Sequence, residues 1–230
     1  MCIRDSENGA LQDEAHNTLL KLALDSKNLV SLINEKPNVL SSEKKDRIIQ
    51  LATSINLFDL IEIEFNGPDL TEYNGFQSFN IDKITQVIKL FCFKRVVFKS
   101  KLVKLLYYSD FKHFKINKHS ITGLRYAMLP MGPAPNDYQL LLGFILKHDS
   151  DISIEPCKAG KYDGEIIVTH SPPDLTVFNN EEQATLSEVN ARFAFYTSSA
   201  IQEKTHAEPA YKEIPVGEII PYTYAESLNL

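Results

Sequence analysis

A chain of 230 residues that is 43% hydrophobic and 23% charged can bury the core of one large domain, or of a domain plus an accessory piece. No apolar run approaches the ~20 residues a bilayer-crossing helix needs, and no secretory signal opens the chain, so neither a membrane partner nor export is expected. Net charge is −6, yet residues 89–118 hold nine Lys/Arg and a single acid, Asp110, which leaves the rest strongly acidic.

The cysteines, Cys2, Cys92 and Cys157, are odd in number and far apart. They make neither a disulfide frame nor a zinc site, and a reducing cytoplasm is the expected location. The opening MCIRDS resembles a translated sequencing-adapter remnant, so the chain is expected to be a fragment with sequence missing before Met1. From Ala10 to about Ser54 the pattern is helical. Leu19, Leu20, Leu22, Ala23 and Leu24 are followed by Leu29, Leu32 and Ile33, with Asp25 and Ser26 able to cap between them. Pro37 and Asn38 interrupt the pattern, and a further helix is expected from about Ser42, with Ile48, Ile49, Leu51 and Ala52 on one side. The stretch NGPDLTEYNGFQSF has the Gly, Pro and Asn of a linker or loop. It divides the chain into residues 1–66, a linker at 67–79 and a domain at 80–230.

Asn80 is positioned to cap a helix running to about Phe93. The next helix, SKLVKLLYYSDFKHF, repeats Leu102, Leu105, Leu106, Ser109 and His113 at helical spacing. Ile121 to Leu129 reads as an extended strand. MGPAP then continues neither helix nor sheet, because Pro133 and Pro135 lack the amide donor and bias their predecessors toward extended geometry. Asn136 or Asp137 caps a helix through YQLLLGFIL. DISIEPC and GEIIVTH read as a hairpin that Pro172 and Pro173 end. NNEEQATLSEVNARFAFY is a helix with acids at its start. A polar helix from about Ser198 to Lys204 and the segment GEIIPYTYAESLNL follow. The expected fold class is α+β, mainly α-helical: a helical N-terminal connector, then a compact helical domain with a small β-sheet or hairpin.

Phosphate-cradling loops, nucleophile elbows and zincin pairs are absent from the sequence, so no catalytic residue, metal or cofactor is expected. His206 and Glu208 form an H-x-E, a two-ligand fragment read as a hydrogen-bonded structural histidine at a helix boundary. His113, on the apolar side of its helix, is expected to bond a nearby backbone group. Asp110 either pairs with a lysine or caps the turn after Lys118. Tyr107 and Tyr108 with Lys101, Lys104, Lys112 and Lys115 fit an aromatic–basic nucleic-acid surface, or else half-buried core beside Leu105 and Leu106. The basic stretch as a whole reads either as a solvated face balanced by the protein's own acids or as a surface for nucleic acid or an acidic partner.

The segment KLVKLLYYSDFKHFKINKHSITGLRYAMLPMGPAPNDY resembles the hallmark segment of the Panacea domain, the SocA-like antitoxin family. The likeness lies in a K-L-x-K-L-L-Y-Y helix, then S-I-T-G-x-x-Y, then a G-P-x-P turn. TSSAIQEKTHAEPAYKEIPVGEIIPYTYAESL is similar to the family's closing block, an S-H-x-E-x-A-W element and a final I-x-Y-x-Y-A. Thr205 stands where serine is usual, and Tyr211 where tryptophan is usual. The likeness spans roughly residues 80–230. ENGALQDEAHNTLLKLAL is similar to the tail of a Cro/repressor-type helix-turn-helix, as in one branch of the family, with the recognition helix missing here.

The resemblance implies a non-enzymatic bacterial antitoxin of a toxin–antitoxin system that neutralises a cognate toxin by direct protein–protein binding. It leaves open a protease as a further partner, and DNA contact with transcriptional autoregulation only through the missing N-terminal region. On this reading Tyr107, Tyr108, Asp110, Tyr126, Leu129, Met131, Gly132, Pro133, Pro135, Tyr138, His206 and Glu208 either bind the toxin or shape the surface that does. The alternative is a nucleic-acid-binding transcriptional regulator acting through residues 89–118.

Overall fold

A computed structural model of the chain describes residues 26–35, 41–54, 65, 69–159 and 162–230. Helix α1 (Ser26–Glu35) and helix α2 (Ser42–Ser54) pack on one another. The helical pattern before Asp25 and the break at Pro37 and Asn38 lie outside the described residues.

Helix α3 spans Ile81–Cys92, and Asn80 Oδ1 accepts from Lys83 N at 2.9 Å, the cap its position foretells. Ile84, Val87, Ile88 and Phe91 are buried. After a turn in which Lys94 takes a φ of 56°, strand β1 (Val97–Phe98) leads into helix α4 (Lys99–Asn117). From Leu102 to Phe111 every residue of α4 is buried. A helix closed in on all sides lies at the centre of a domain rather than on its surface. Lys118, at φ 64°, ends it in a left-handed cap.

Beyond α4 the chain forms two short strands, β2 (Tyr126–Ala127) and β3 (Ala134–Pro135), then α5 (Tyr138–His148), β4 (Ile152–Ala159), β5 (Tyr162–Thr169), α6 (Asn180–Phe193), α7 (Ser198–His206), α8 (Pro209–Glu213) and a closing 3₁₀ turn, Tyr222–Ser227. The larger sheet is antiparallel with order β1-β5-β4, and Ile154 lies opposite Ile167. The expected hairpin is present. Helix α6 opens with a capping box, Asn179 accepting from Glu182 N while the Glu182 side chain accepts from Asn179 N. The class is the expected one, mainly helical α+β.

Three local expectations need correction. The extended run Ile121–Leu129 narrows to Tyr126–Ala127, because residues 120–124 wrap around a buried carboxylate instead of pairing. MGPAP does enter a sheet: Pro135 faces Tyr126 in a two-residue edge strand, where no donor is demanded of it. Asp137 precedes α5 at φ 50° and makes no side-chain cap.

Residues 69–80 are bonded back onto the domain. Tyr222 N donates to Glu72 O, Ser120 N to Gly75 O and Asn80 N to Thr122 O. Gly123, at φ 75°, allows that approach, since a Cβ there would lie 2.3 Å from Ser78 O. Among the described residues no helix is long and apolar enough to cross a membrane.

Candidate functional site

The two motif blocks read from sequence meet on α4. Asp110, fully buried in its middle, accepts four hydrogen bonds. Its Oδ1 takes Ile121 N and Thr122 N, each at 2.9 Å, and its Oδ2 takes Thr122 Oγ1 at 2.5 Å and the Tyr126 hydroxyl at 2.7 Å. Burial pushes the carboxyl above its ordinary pKa, and these bonds oppose that push. Of the two expectations for Asp110, the cap on the turn after Lys118 is the one formed. No lysine reaches it among the described residues.

Tyr107 and Tyr108 are fully buried, not half-buried, and neither lies on a surface. Tyr107 packs 4.3 Å from Phe111, Tyr108 stacks 4.6 Å from Phe193, and Phe111 stacks 4.4 Å from Tyr222. The Tyr222 hydroxyl donates to Leu124 O at 2.8 Å and so fixes the same loop from the far end of the chain.

Nearly two turns of α4 before Asp110, Lys104 points at the proline corner. Its Nζ donates to Pro133 O at 2.6 Å, and burial lowers its pKa to about 7. The corner is fixed at further points. Gly132 N donates to Leu129 O at 2.9 Å, the Tyr211 hydroxyl to Pro130 O at 3.1 Å, and Gln202 Nε2 to Met131 Sδ at 3.5 Å. Gly132, at φ 90°, admits Thr205, since a Cβ on it would stand 2.5 Å from Thr205 Oγ1. Pro133 and Pro135 are buried, Leu129 is half-buried, and Met131 at the tip is 55% exposed. Tyr138, half-buried at the start of α5, packs against the core and accepts from Gln139 Nε2.

His206 and Glu208 part company despite their spacing. The His206 ring stacks on Tyr211 at 4.0 Å, and its Nε2 is buried with no hydrogen-bond partner among the described residues, so stacking rather than hydrogen bonding of that atom seats it. Glu208, buried, accepts from Tyr108 OH at 3.3 Å, Asn229 N at 3.0 Å and Asn229 Nδ2 at 3.2 Å, with Lys204 Nζ at 3.8 Å. No group of three metal-ligating side chains occurs among the described residues. His113 also differs from expectation. Its Nδ1 lies 3.0 Å from Thr185 Oγ1 and 3.1 Å from Asn117 Nδ2, so its ring bonds side chains and not backbone. Burial lowers its pKa to about 4, and His119 beside it works in the same direction.

The basic stretch is largely consumed within the fold. Lys89 pairs with Asp149 at 2.5 Å and Asp151 at 3.5 Å, Lys112 with Glu188 at 2.6 Å, Lys99 with Glu165 and Lys118 with Glu226. Lys104 and Lys115 donate to the carbonyls of Pro133 and Leu228. Four cations of the strip are thus balanced by the protein's own acids and two more are held by carbonyls, and the aromatic–basic surface around Tyr107 and Tyr108 does not form.

Thr122, Gln202, Thr205, Tyr211 and Tyr222 also belong to this arrangement and are not among the sequence-derived site residues, and Lys104 belongs to it rather than to the aromatic–basic surface expected of it. Lys104 had a usable signal, a lone cation inside the apolar run LVKLLYY.

The class defined by fold and site is a mainly helical α+β domain whose central helix holds two turns through one carboxylate and one ammonium. Residues 102–212 match the family model of the antitoxin SocA-like, Panacea domain. No curated protein matched the chain, and no solved structure did.

Proposed function

We propose that the protein is an antitoxin that neutralises a cognate toxin by direct protein–protein binding. The docking face is the corner Leu129–Pro135 together with the adjoining α7 and α8. One observation carries the choice of face: Met131 is 55% exposed at the tip of a turn that Lys104, Gln202, Thr205 and Tyr211 hold from beneath. An apolar side chain displayed on an already ordered turn binds with little further loss of conformational freedom. The match of residues 102–212 to the antitoxin SocA-like, Panacea domain supports the partner class.

The test is growth rescue in cells expressing the toxin encoded beside this protein. Wild-type chain restores growth, and Met131→Asp, which places a charge at an exposed tip, abolishes the rescue while leaving the thermal unfolding midpoint in place. Failure of the wild type to rescue ends the antitoxin reading. Full rescue by Met131→Asp moves the interface elsewhere.

A further inference from the structure

Of the nine cations in residues 89–118, four are ion-paired and Lys104 and Lys115 donate to backbone carbonyls, while Lys94, Arg95 and Lys101 have neither an ion pair nor a backbone carbonyl acceptor among the described residues. Arg95 Nη1 finds a neutral acceptor, Asn190 Oδ1, at 2.5 Å. Lys94 Nζ sits 5.1 Å from the ring centre of Phe93, its own neighbour. Lys101 is half-buried in the first turn of α4, where the helix dipole works against a cation. Burial and then the Arg95 guanidinium hold its pKa down, so the two positive groups feel one another with no carboxylate between them. Uncompensated like charge of this kind is unfavourable unless an anion is supplied from outside.

The backbone displays these groups deliberately. Lys94 occupies the left-handed region at φ 56°, a conformation for which glycine or asparagine is the ordinary choice. Arg95 N closes the turn onto Cys92 O at 3.0 Å, which sets Lys94 and Arg95 out beyond the end of α3, and both are exposed. Val96, 70% exposed, stands among them.

We infer that the corner Phe93–Lys101 docks a short acidic segment of a partner protein, with carboxylates on Lys94, Arg95 and Lys101 and an apolar side chain over Val96. The inference rests on the reading that this protein acts by binding another protein. A peptide fits better than a nucleic acid. The charge is confined to three groups on a chain that is −6 overall and repels a polyanion. The exposed apolar group is an aliphatic valine, which gives bases no stacking platform.

The full chain is titrated by fluorescence anisotropy against two labelled probes of equal net charge, a peptide alternating glutamate and leucine and a thymidine oligonucleotide. Peptide binding weakens about tenfold in Lys94→Gln/Arg95→Gln/Lys101→Gln and is unchanged in the control Lys158→Gln, while the oligonucleotide does not bind. If the half-buried Lys101 position compromises folding, as circular dichroism reports, Lys94→Gln/Arg95→Gln carries the same comparison at exposed sites only. Equal peptide binding by variant and wild type overturns the inference. So does an oligonucleotide that binds as tightly as the peptide and is lost in the variant. Growth rescue separates the two proposals: a wild type that rescues beside a triple variant that does not supports the corner. Rescue by both removes the corner and leaves the antitoxin reading. A wild type that fails removes the antitoxin reading, and the peptide titration then decides the corner alone.

Discussion

Two turns lean on α4, one held by Asp110 and the other by Lys104, and they are built for different ends. The loop at residues 120–124 is buried throughout, and every lone-pair direction of the Asp110 carboxylate is directed at a donor. The proline corner hangs from Lys104 through a single carbonyl, and its tip reaches solvent at Met131. A carboxylate that is sealed and saturated makes core. An ammonium with one acceptor at the root of an exposed turn makes a mounting. The same helix therefore supplies rigidity in its middle and display nearly two turns earlier.

The sharpest way to break this contrast is at Asp110. Asp110→Ala leaves two amides and two hydroxyls buried without an acceptor and costs about 3–5 kcal/mol, read as a fall in the urea midpoint. A loss no larger than that of a surface substitution would mean the loop is not held by this carboxylate. Lys104 answers to pH. Its folded pKa of about 7 lies below the ordinary 10.5, so the unfolded chain binds more protons between those values. The penalty for burying the ammonium is complete below pH 7 and is relieved as pH rises toward 10.5. Stability of the wild type therefore climbs over that window by roughly 1–3 kcal/mol relative to Lys104→Met, which lacks the titration. Parallel profiles for the two proteins would refute it.

His113 provides a smaller effect of the same sign at lower pH. With a folded pKa of about 4 against an ordinary 6.5, its contribution is fully present above pH 6.5 and is lost as pH falls toward 4. Wild type loses up to about 2 kcal/mol more than His113→Gln over that interval, and coincident acid titrations of the two would remove the histidine from the account. Smallest in stability is Met131→Asp, expected to shift unfolding by no more than about 0.5 kcal/mol while removing growth rescue. That split between folding and binding is what the display half of the contrast requires.

What the sequence made legible was local. Asn80 as a cap, the hairpin of β4 and β5, and the acids that open α6 depend on neighbours a few residues away, and each reads directly from the order of side chains. Asp110 was half legible, because its turn lies only 11 and 12 residues downstream. The rest was set by distant partners. Lys104 meets Pro133 29 residues on, Lys99 meets Glu165 66 on, and Tyr108 meets Glu208 100 on. A cation's role is decided by which acid folding delivers to it, so a run of lysines read as one surface became six separate structural contacts. His206 shows the complementary limit: the H-x-E spacing puts two chemically suggestive residues close in sequence, and the end of α7 between them turns their side chains to different neighbours.

The last three residues act as a clasp. Lys115, 113 residues earlier, grips Leu228 O, and Asn229 gives Glu208 two of its donors. Trimming the chain after Ser227 would therefore loosen the last turn of α4 and unseat the carboxylate that Tyr108 leans on.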